Sequence, residues 1–221
     1  TRFRNVTRVQ TCALPISGLA VCPDVKVTAL CDSDAEVLER ARSQTGATVV
    51  SHDYRDILKR DDVHAVIIAT PNSFHAPIAL AAIANGKHVL CEKPIAMNYA
   101  EAMQMADAAE RANVRHMTAF TYRFVPAMRY LTHLVERGDA GSIFHYRSCR
   151  LQDWGTRGLG WRQTKSLAGS GELGDMLSHR IDFAHILAGR MSRLVASVKQ
   201  WHPVRGGFPN DLEDRKSTRL N

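Results

Sequence analysis

Eight residues, Val63-His-Ala-Val-Ile-Ile-Ala-Thr70, limit the possible folds more than any other stretch of the chain. Nearly every position is apolar, so the strand they predict has both faces covered, as central strands of parallel sheets do. Pro71 and Asn72 end the run. An Ala-rich helix is predicted over residues 74–85, closed by Gly86, and a second apolar run, Val89-Leu90-Cys91, follows at once. Strand, helix and strand joined by short loops predict a parallel sheet wound in βαβ units. The same rhythm extends both ways. Strands are expected over residues 25–31, 48–50 and 116–120, and helices over 34–44, 53–59 and 99–112.

Composition is that of an ordinary globular protein, 45% hydrophobic and 23% charged, with no apolar run near the ~20 residues that cross a bilayer. The N-terminus lacks the pattern of a signal peptide, so a cytoplasmic location and no membrane partner are expected. None of the five cysteines forms a C-x-x-C pair, which argues against a disulfide framework or a zinc site. Cys22, Cys31 and Cys91 sit among apolar neighbours and are expected to be small buried hydrophobes.

The ends of the chain stand apart. DNA that encodes residues 9–16, Val-Gln-Thr-Cys-Ala-Leu-Pro-Ile, can encode residues 214–221, Asp-Arg-Lys-Ser-Thr-Arg-Leu-Asn, when read on the opposite strand. This is the pattern of a sequencing adapter translated at both ends. Residues 1–16 and 214–221 are therefore read as non-native and set aside from fold reasoning. They also distort the charge. Of the net +7, residues 1–16 contribute +3 and residues 214–221 contribute +2, which leaves +2 on residues 17–213. A near-neutral body gives no support for a nucleic-acid partner.

Asp32, at the end of its strand, fits the acidic residue that holds an adenosine ribose in dinucleotide-binding folds; the alternative is a cap for the helix that starts near Asp34. The glycine-rich phosphate loop expected about 20 residues earlier is absent, and its place is taken by the adapter-like segment. Gly169-Ser-Gly-Glu-Leu-Gly174 matches the fingerprint literally. It follows no strand and lacks an acidic partner downstream, so it reads as a loop leading into a helix that carries Asp175 and His179. Those two residues are four apart, on one face if helical. Lys93 closes the strand over residues 89–91, at the edge where open α/β sheets bind ligands.

After residue 120 the pattern changes. A helix is expected up to Glu136, strands over residues 142–151 and 193–201, and a further helix over 181–187 ended by Gly189. The expected architecture is α/β: a Rossmann-type parallel sheet over residues 17–120, its first strand and Gly-rich loop missing, then a partial C-terminal α/β domain over 121–213 with an open, mainly antiparallel sheet.

Several segments in order resemble the glucose–fructose oxidoreductase/inositol dehydrogenase/MocA-like (Gfo/Idh/MocA) family: Ala69-Thr-Pro-Asn-Ser-Phe-His75, Gly86-Lys-His-Val-Leu-Cys-Glu-Lys-Pro94, Tyr122-Arg-Phe124, Trp161-Arg162 and Gly171-Glu-Leu-Gly-Asp-Met-Leu-Ser-His-Arg-Ile-Asp182. The resemblance implies an NAD(P)-dependent oxidoreductase that moves hydride between a sugar or polyol hydroxyl and nicotinamide, and a homo-oligomer when full length. It implies Lys93, Asp175 and His179 as the catalytic set, with Thr70, Pro71, Asn72, His75 and Glu92 near the cofactor.

In that setting His179 is the expected base, Asp175 orients it, and Lys93 holds the substrate oxygen. The plain alternative for His179 is a structural pairing with Asp175 or Asp182. His75 either caps the following helix or touches cofactor. Arg123 and Trp161 either line the sugar site or simply pack, and Asp182 is expected to serve structure. Asp32 next to Ser33, with no basic residue before Arg40, favours NAD over NADP, because a carboxylate repels a 2′-phosphate. A glycoside hydrolase using NAD on the same fold, or a non-catalytic nucleotide- or sugar-binding protein, are the competing functions. The 221-residue chain itself is expected to bind NAD poorly and to leave a strand edge unpaired.

Overall fold

The computed structural model describes residues 5–9, 18–19, 21–151, 160–171 and 173–199. The chain divides into two units, Thr1–Ala119 and Phe120–Asn221.

In the first unit six parallel strands form one sheet: β1 (Asn5–Val9), β2 (Lys26–Cys31), β3 (Val49–Ser51), β4 (Ala65–Ile68), β5 (His88–Cys91) and β6 (His116–Thr118). Their spatial order is β3-β2-β1-β4-β5-β6. The connecting helices are α1 (Ala35–Thr45), α2 (Tyr54–Leu58), α3 (His75–Ala84) and α4 (Tyr99–Arg111). From β1 the chain winds outward one way through β2 and β3, then the other way through β4 to β6. The reversal lies between β1 and β4, and a crevice at such a switch point is where doubly wound sheets bind ligands.

One expectation is corrected here. The first strand was read as missing, yet residues Asn5–Val9 occupy the central position, paired in parallel with both β2 and β4. The physical reason is a vacancy in hydrogen bonding: β2 and β4 each present an open ladder edge at the centre, and any extended segment upstream can fill it. The phosphate-loop region, residues 10–17, lies outside the described residues.

Alternation along β2 shows why the sheet reads as nearly continuous apolar runs. Ala29 and Cys31 join one core with Val66, Ile68 and Val89, while Leu30 joins another with Leu38 and Ala41 of α1. Both faces are therefore covered. Asp34 caps α1, accepting from the Glu36 and Val37 amides, and Gly46 ends it at φ 66°. Asn98 Oδ1 accepts from the Glu101 amide and the Glu101 carboxylate accepts from Asn98 Nδ2, a reciprocal cap that starts α4. Lys87 is buried, and its ammonium donates to the Arg60 carbonyl at 2.6 Å, which ties the start of β5 to the chain beyond α2.

The second unit contains a short 3₁₀ turn (Thr121–Phe124), α5 (Pro126–Glu136), a 3₁₀ turn (Trp161–Gln163), α6 (Lys165–Ala168), a π-helical turn (Leu173–Leu177) and α7 (Ser178–Ala188). The antiparallel sheet expected here is not formed among the described residues. Residues 142–151 and 191–199 belong to no strand, and Phe144, Leu151 and Val195 are more than nine-tenths exposed. A β pattern is only half of a strand; without a partner ladder its backbone groups stay with water. Gln200 and Trp201, the end of the second expected strand, lie outside the described residues. No helix among the described residues is long and apolar enough to cross a membrane.

Cys31 and Cys91 are buried as expected, but Cys22 is exposed in the turn before β2, its thiol donating to the Gly18 carbonyl at 3.4 Å. Burial, with the nearby Asp32, Asp53 and Asp56 carboxylates, pushes the Cys31 thiol up to about 12, and burial with Glu92 pushes Cys91 higher still. Thiolate is the reactive form. Native alkylation followed by peptide mapping should therefore label Cys22 and Cys149, and reach Cys31 and Cys91 only after unfolding; rapid native labelling of Cys91 would contradict this burial.

Candidate functional site

Because all six strands are parallel, β2, β4 and β5 deliver their C-terminal residues to the same edge of the sheet. Asp32 follows β2, Thr70 to Asn72 follow β4, and Glu92 to Pro94 follow β5. β2 and β4 flank β1, so Asp32 and Thr70 lie on either side of the switch point.

Asp32 is buried, and it is not the helix cap, because Asp34 holds that role. Its Oδ1 accepts from the Asp34 amide at 2.9 Å, its own amide donates to the Ser51 carbonyl at 3.3 Å, and its carbonyl lies 2.8 Å from His52 Nδ1. The carboxylate is thus held at a fixed position at the end of β2. Asp53 and Asp56 add their fields to the same corner, as the raised Cys31 thiol records.

Thr70 is also buried, and among the described residues its hydroxyl has no hydrogen-bond partner. A buried hydroxyl left unpaired costs on the order of 1–3 kcal/mol unless a ligand or water completes it. Pro71 precedes the 3₁₀ turn Asn72–Phe74, in which Asn72 is buried. A dinucleotide fits this edge: a fixed carboxylate suits a ribose diol, and an orphaned hydroxyl suits a bound polar group. The phosphate cradle cannot be matched in the same way, since residues 10–17 contain no glycine.

The β5 end is tied to its neighbours by main-chain bonds. The Glu92 amide donates to the Ile68 carbonyl at 2.8 Å, the Lys93 amide lies 3.3 Å from Glu92 Oε2, and the Lys93–Pro94 peptide is cis. Glu92 and Lys93 are half-buried. His75, expected either to cap α3 or to meet cofactor, does not cap the helix. α3 has no side-chain cap, and the His75 ring lies 2.8 Å from the Pro94 carbonyl and 2.9 Å from the Thr70 carbonyl while only 1% exposed. Both nitrogens are spent on the main chain, so His75 braces the edge from behind.

In the second unit, Asp175 lies in the π-helical turn and His179 in the first turn of α7. Such π turns inside helices often mark functional sites. The four-residue spacing therefore spans a junction instead of one uniform α-helix. His179 is buried against two aromatic rings, Tyr122 at 4.6 Å and Phe120 at 5.8 Å, both edge-on. The Asp175 carboxylate pairs with Arg162, whose Nε is 3.3 Å away and whose guanidinium stacks on the Trp161 ring at 4.5 Å. Arg123 grips the buried Asp182 with bonds of 3.1 and 2.9 Å from Nε, and Nη2 also donates to Oδ1. Its guanidinium lies 5.6 Å from the Phe120 ring. Arg123 thus has partners in Asp182 and Phe120, and Trp161 in Arg162, all within the second unit.

Sequence reasoning missed Tyr122 as a neighbour of His179, Arg162 as the partner of Asp175, and Arg123 as the partner of Asp182. Each partner lies far off in sequence; Arg123 and Asp182 are separated by 59 positions.

Burial lowers the His75 pKa, against the pull of the two carbonyls and Glu92. Burial and the Arg115 and His64 charges lower His88, whose Nδ1 accepts the Arg115 amide at 2.9 Å. The sign follows directly. Both histidines bind protons less readily folded than unfolded, so stability falls as pH drops below the unfolded value of about 6.5 and through the folded values. Urea midpoints should fall between pH 8 and pH 5, and His88→Gln should flatten part of that slope. A midpoint that rises toward pH 5 would contradict both assignments.

Comparison with known proteins extends these observations across both units. Residues 15–120 match the family model described as an oxidoreductase family, NAD-binding Rossmann fold, and residues 128–218 match the GFO/IDH/MocA C-terminal domain. A levoglucosan dehydrogenase of Pseudarthrobacter phenanthrenivorans is 41% identical over 179 residues, which cover 80% of this chain and 46% of that protein. A glycosyl hydrolase family 109 protein of Shewanella woodyi is 34% identical over 138 residues, covering 58% of this chain and 30% of that one. The solved structure of levoglucosan dehydrogenase in complex with NADH and levoglucosan superposes with a TM-score of 0.79 at 36% identity, covering 84% of this chain and 54% of that chain. The chain thus spans about half the length of the dehydrogenases it matches. With a sheet that reverses at β1, Asp32 and Thr70 at its ligand edge, and both domain models matched in order, the chain belongs to the Gfo/Idh/MocA oxidoreductase family.

Proposed function

We propose that the full-length protein is an NAD-dependent dehydrogenase that oxidises a secondary hydroxyl of a sugar, anhydrosugar or polyol. The observation that carries this reading is the ligand edge of the parallel sheet, where the fixed Asp32 and the Thr70 hydroxyl, unpartnered among the described residues, flank the switch point and Lys93 follows the next strand, β5. The 41% identity to a levoglucosan dehydrogenase supports the substrate class.

Bound NAD would supply the hydride acceptor. Asp32 would hold the adenosine ribose and Thr70 would complete its hydroxyl against the dinucleotide. Lys93 donates a charged hydrogen bond to the substrate oxygen and stabilises the charge that develops there. His179 takes the hydroxyl proton, a task suited to a group that titrates near working pH. Asp175, itself anchored by Arg162, keeps its carboxylate at the turn that feeds α7 and orients the imidazole. The aromatic walls of Phe120 and Tyr122 keep water from His179.

The test is NAD reduction, followed at 340 nm, with levoglucosan, inositols and common hexoses as substrates for the full-length protein. No reduction with any of them would overturn the reading. The glycosyl hydrolase relative supports one alternative, cleavage of a glycoside with no net cofactor reduction. Release of nitrophenol from nitrophenyl glycosides in the presence of NAD, with no absorbance gain from NADH, would select it.

Asp32 makes a further outcome measurable. The enzyme should prefer NAD to NADP, and Asp32→Ala should narrow that preference by about tenfold or more, since about 1.4 kcal/mol corresponds to a factor of ten. Equal use of both cofactors by the unaltered enzyme would remove Asp32 from the ribose site.

A further inference from the structure

His75 is only 1% exposed at the ligand edge of the first unit, and its surroundings pose a proton-counting problem. Its Nδ1 and Nε2 lie 2.8 and 2.9 Å from the carbonyl oxygens of Pro94 and Thr70. A carbonyl oxygen only accepts. A neutral imidazole carries one N–H and one lone pair, so it can bond to one of these oxygens and must present a lone pair to the other. The imidazolium carries two N–H groups and bonds both. The two carbonyls belong to different loops, one leaving β4 and the other following Lys93. The ring is therefore a cross-brace between two segments 24 residues apart in sequence.

We propose that His75 is a positioning residue whose proton count sets how firmly the Thr70–Asn72 segment is tied to the Lys93–Pro94 corner: one bond when the ring is neutral, two when it is protonated. Glu92, at the end of β5, is the charged group whose field favours the protonated ring, and burial opposes it. β4 and the Asn72–Phe74 turn carry no ionisable side chain. α2 and α4 contribute apolar residues, Ile57, Met105 and Ala109, to the core cluster of α3. Glu92 acts on the ring from the end of β5, and Lys93 stands beside Pro94 at the same corner. Protonation adds a bond, while burial lowers the His75 pKa from its ordinary value, so the second bond forms only as the solution is made acidic.

The consequence for cofactor binding rests on the dehydrogenase reading above; the brace itself does not. The first measurement needs only the 221-residue chain. Imidazole ¹⁵N shifts report the proton on each nitrogen, and ¹³C carbonyl shifts of Thr70 and Pro94 report the two acceptors. As the pH is lowered from 8 to the acid side of the ordinary histidine value, the ring should pass from one bare nitrogen to none, and both carbonyls should shift with the same midpoint. His75→Gln, which retains a neutral amide donor, should leave both carbonyls flat. A ring that stays neutral throughout, or one that titrates while either carbonyl stays fixed, would overturn the proposal. The second measurement is NAD affinity of the full-length protein across the same range. It should change with the midpoint of the carbonyls and lose that dependence in His75→Gln. Affinity indifferent to a brace that titrates would overturn the positioning role, whereas a brace that titrates in a protein that binds no NAD at any pH would indict the dehydrogenase reading alone.

Discussion

Lys93→Met should lower the turnover of the full-length enzyme by about 10²- to 10³-fold, the loss typical when one charge-stabilising donor is removed from a developing oxyanion. The substitution keeps the length of the side chain and removes its charge. Lys93 is half-buried in the loop after β5, outside every strand and helix, so the secondary structure should hold. His179→Ala should cost about 10²- to 10⁴-fold through the loss of a general base. The pH profiles distinguish the two. The proposed role of His179 as base predicts an acidic limb that Lys93→Met keeps and His179→Ala loses. Near-normal rates in both variants would show that the proton leaves by another route.

Ile68→Ala is the substitution expected to cost most in stability. Ile68 has no exposed surface, sits in the central strand β4, and pairs across to both β1 and β5. Truncating such a residue costs about 2–5 kcal/mol, from lost apolar contact and the cavity left behind. For a unit of this size that corresponds to a fall of about 10 °C in melting temperature. Ile68 also accepts the Glu92 amide through its carbonyl, so the loosened strand should carry the Lys93 corner with it. Thermal unfolding checks the first effect, and amide hydrogen exchange at Glu92 checks the second. A change below 1 kcal/mol would mean that the core closes over the gap.

How much of this was legible before folding depended on the range over which each signal acts. The alternation of covered strands and helices is local, so β2, β4, β5, α1, α3 and α4 could be read within two or three residues of their ends. The caps of α1 and α4 are local chemistry too, although the sequence offered Asp32 where Asp34 serves and the Asn98 cap went unread. The C-terminal residues failed for the opposite reason. Residues 142–151 have a β pattern, but a strand exists only by pairing, and pairing partners cannot be inferred from one segment's composition. β1 failed in the other direction: an unpromising segment lies in the gap that β2 and β4 leave open.

The candidate site divides along the same line. Residue type and position at strand ends single out Asp32, Thr70 and Lys93, because a parallel sheet brings strand ends to one edge wherever the loops lead. Asp175 and His179 stand out by spacing, although the π-helical turn between them does not. What the Arg162, Arg123 and Tyr122 side chains touch is set by contacts across 13, 59 and 57 positions of the chain. His75 is the clearest case. Its place in the chain suggested a cap or a ligand contact, and only the packing of α3 under two loops turned both of its nitrogens toward carbonyl oxygens. Local pattern and residue chemistry thus determined the winding of the sheet and which residues reach its ligand edge. Tertiary structure alone decided which side chains are held by which partners, because hydrogen bonds and ion pairs depend on distances through space that the order of residues does not encode.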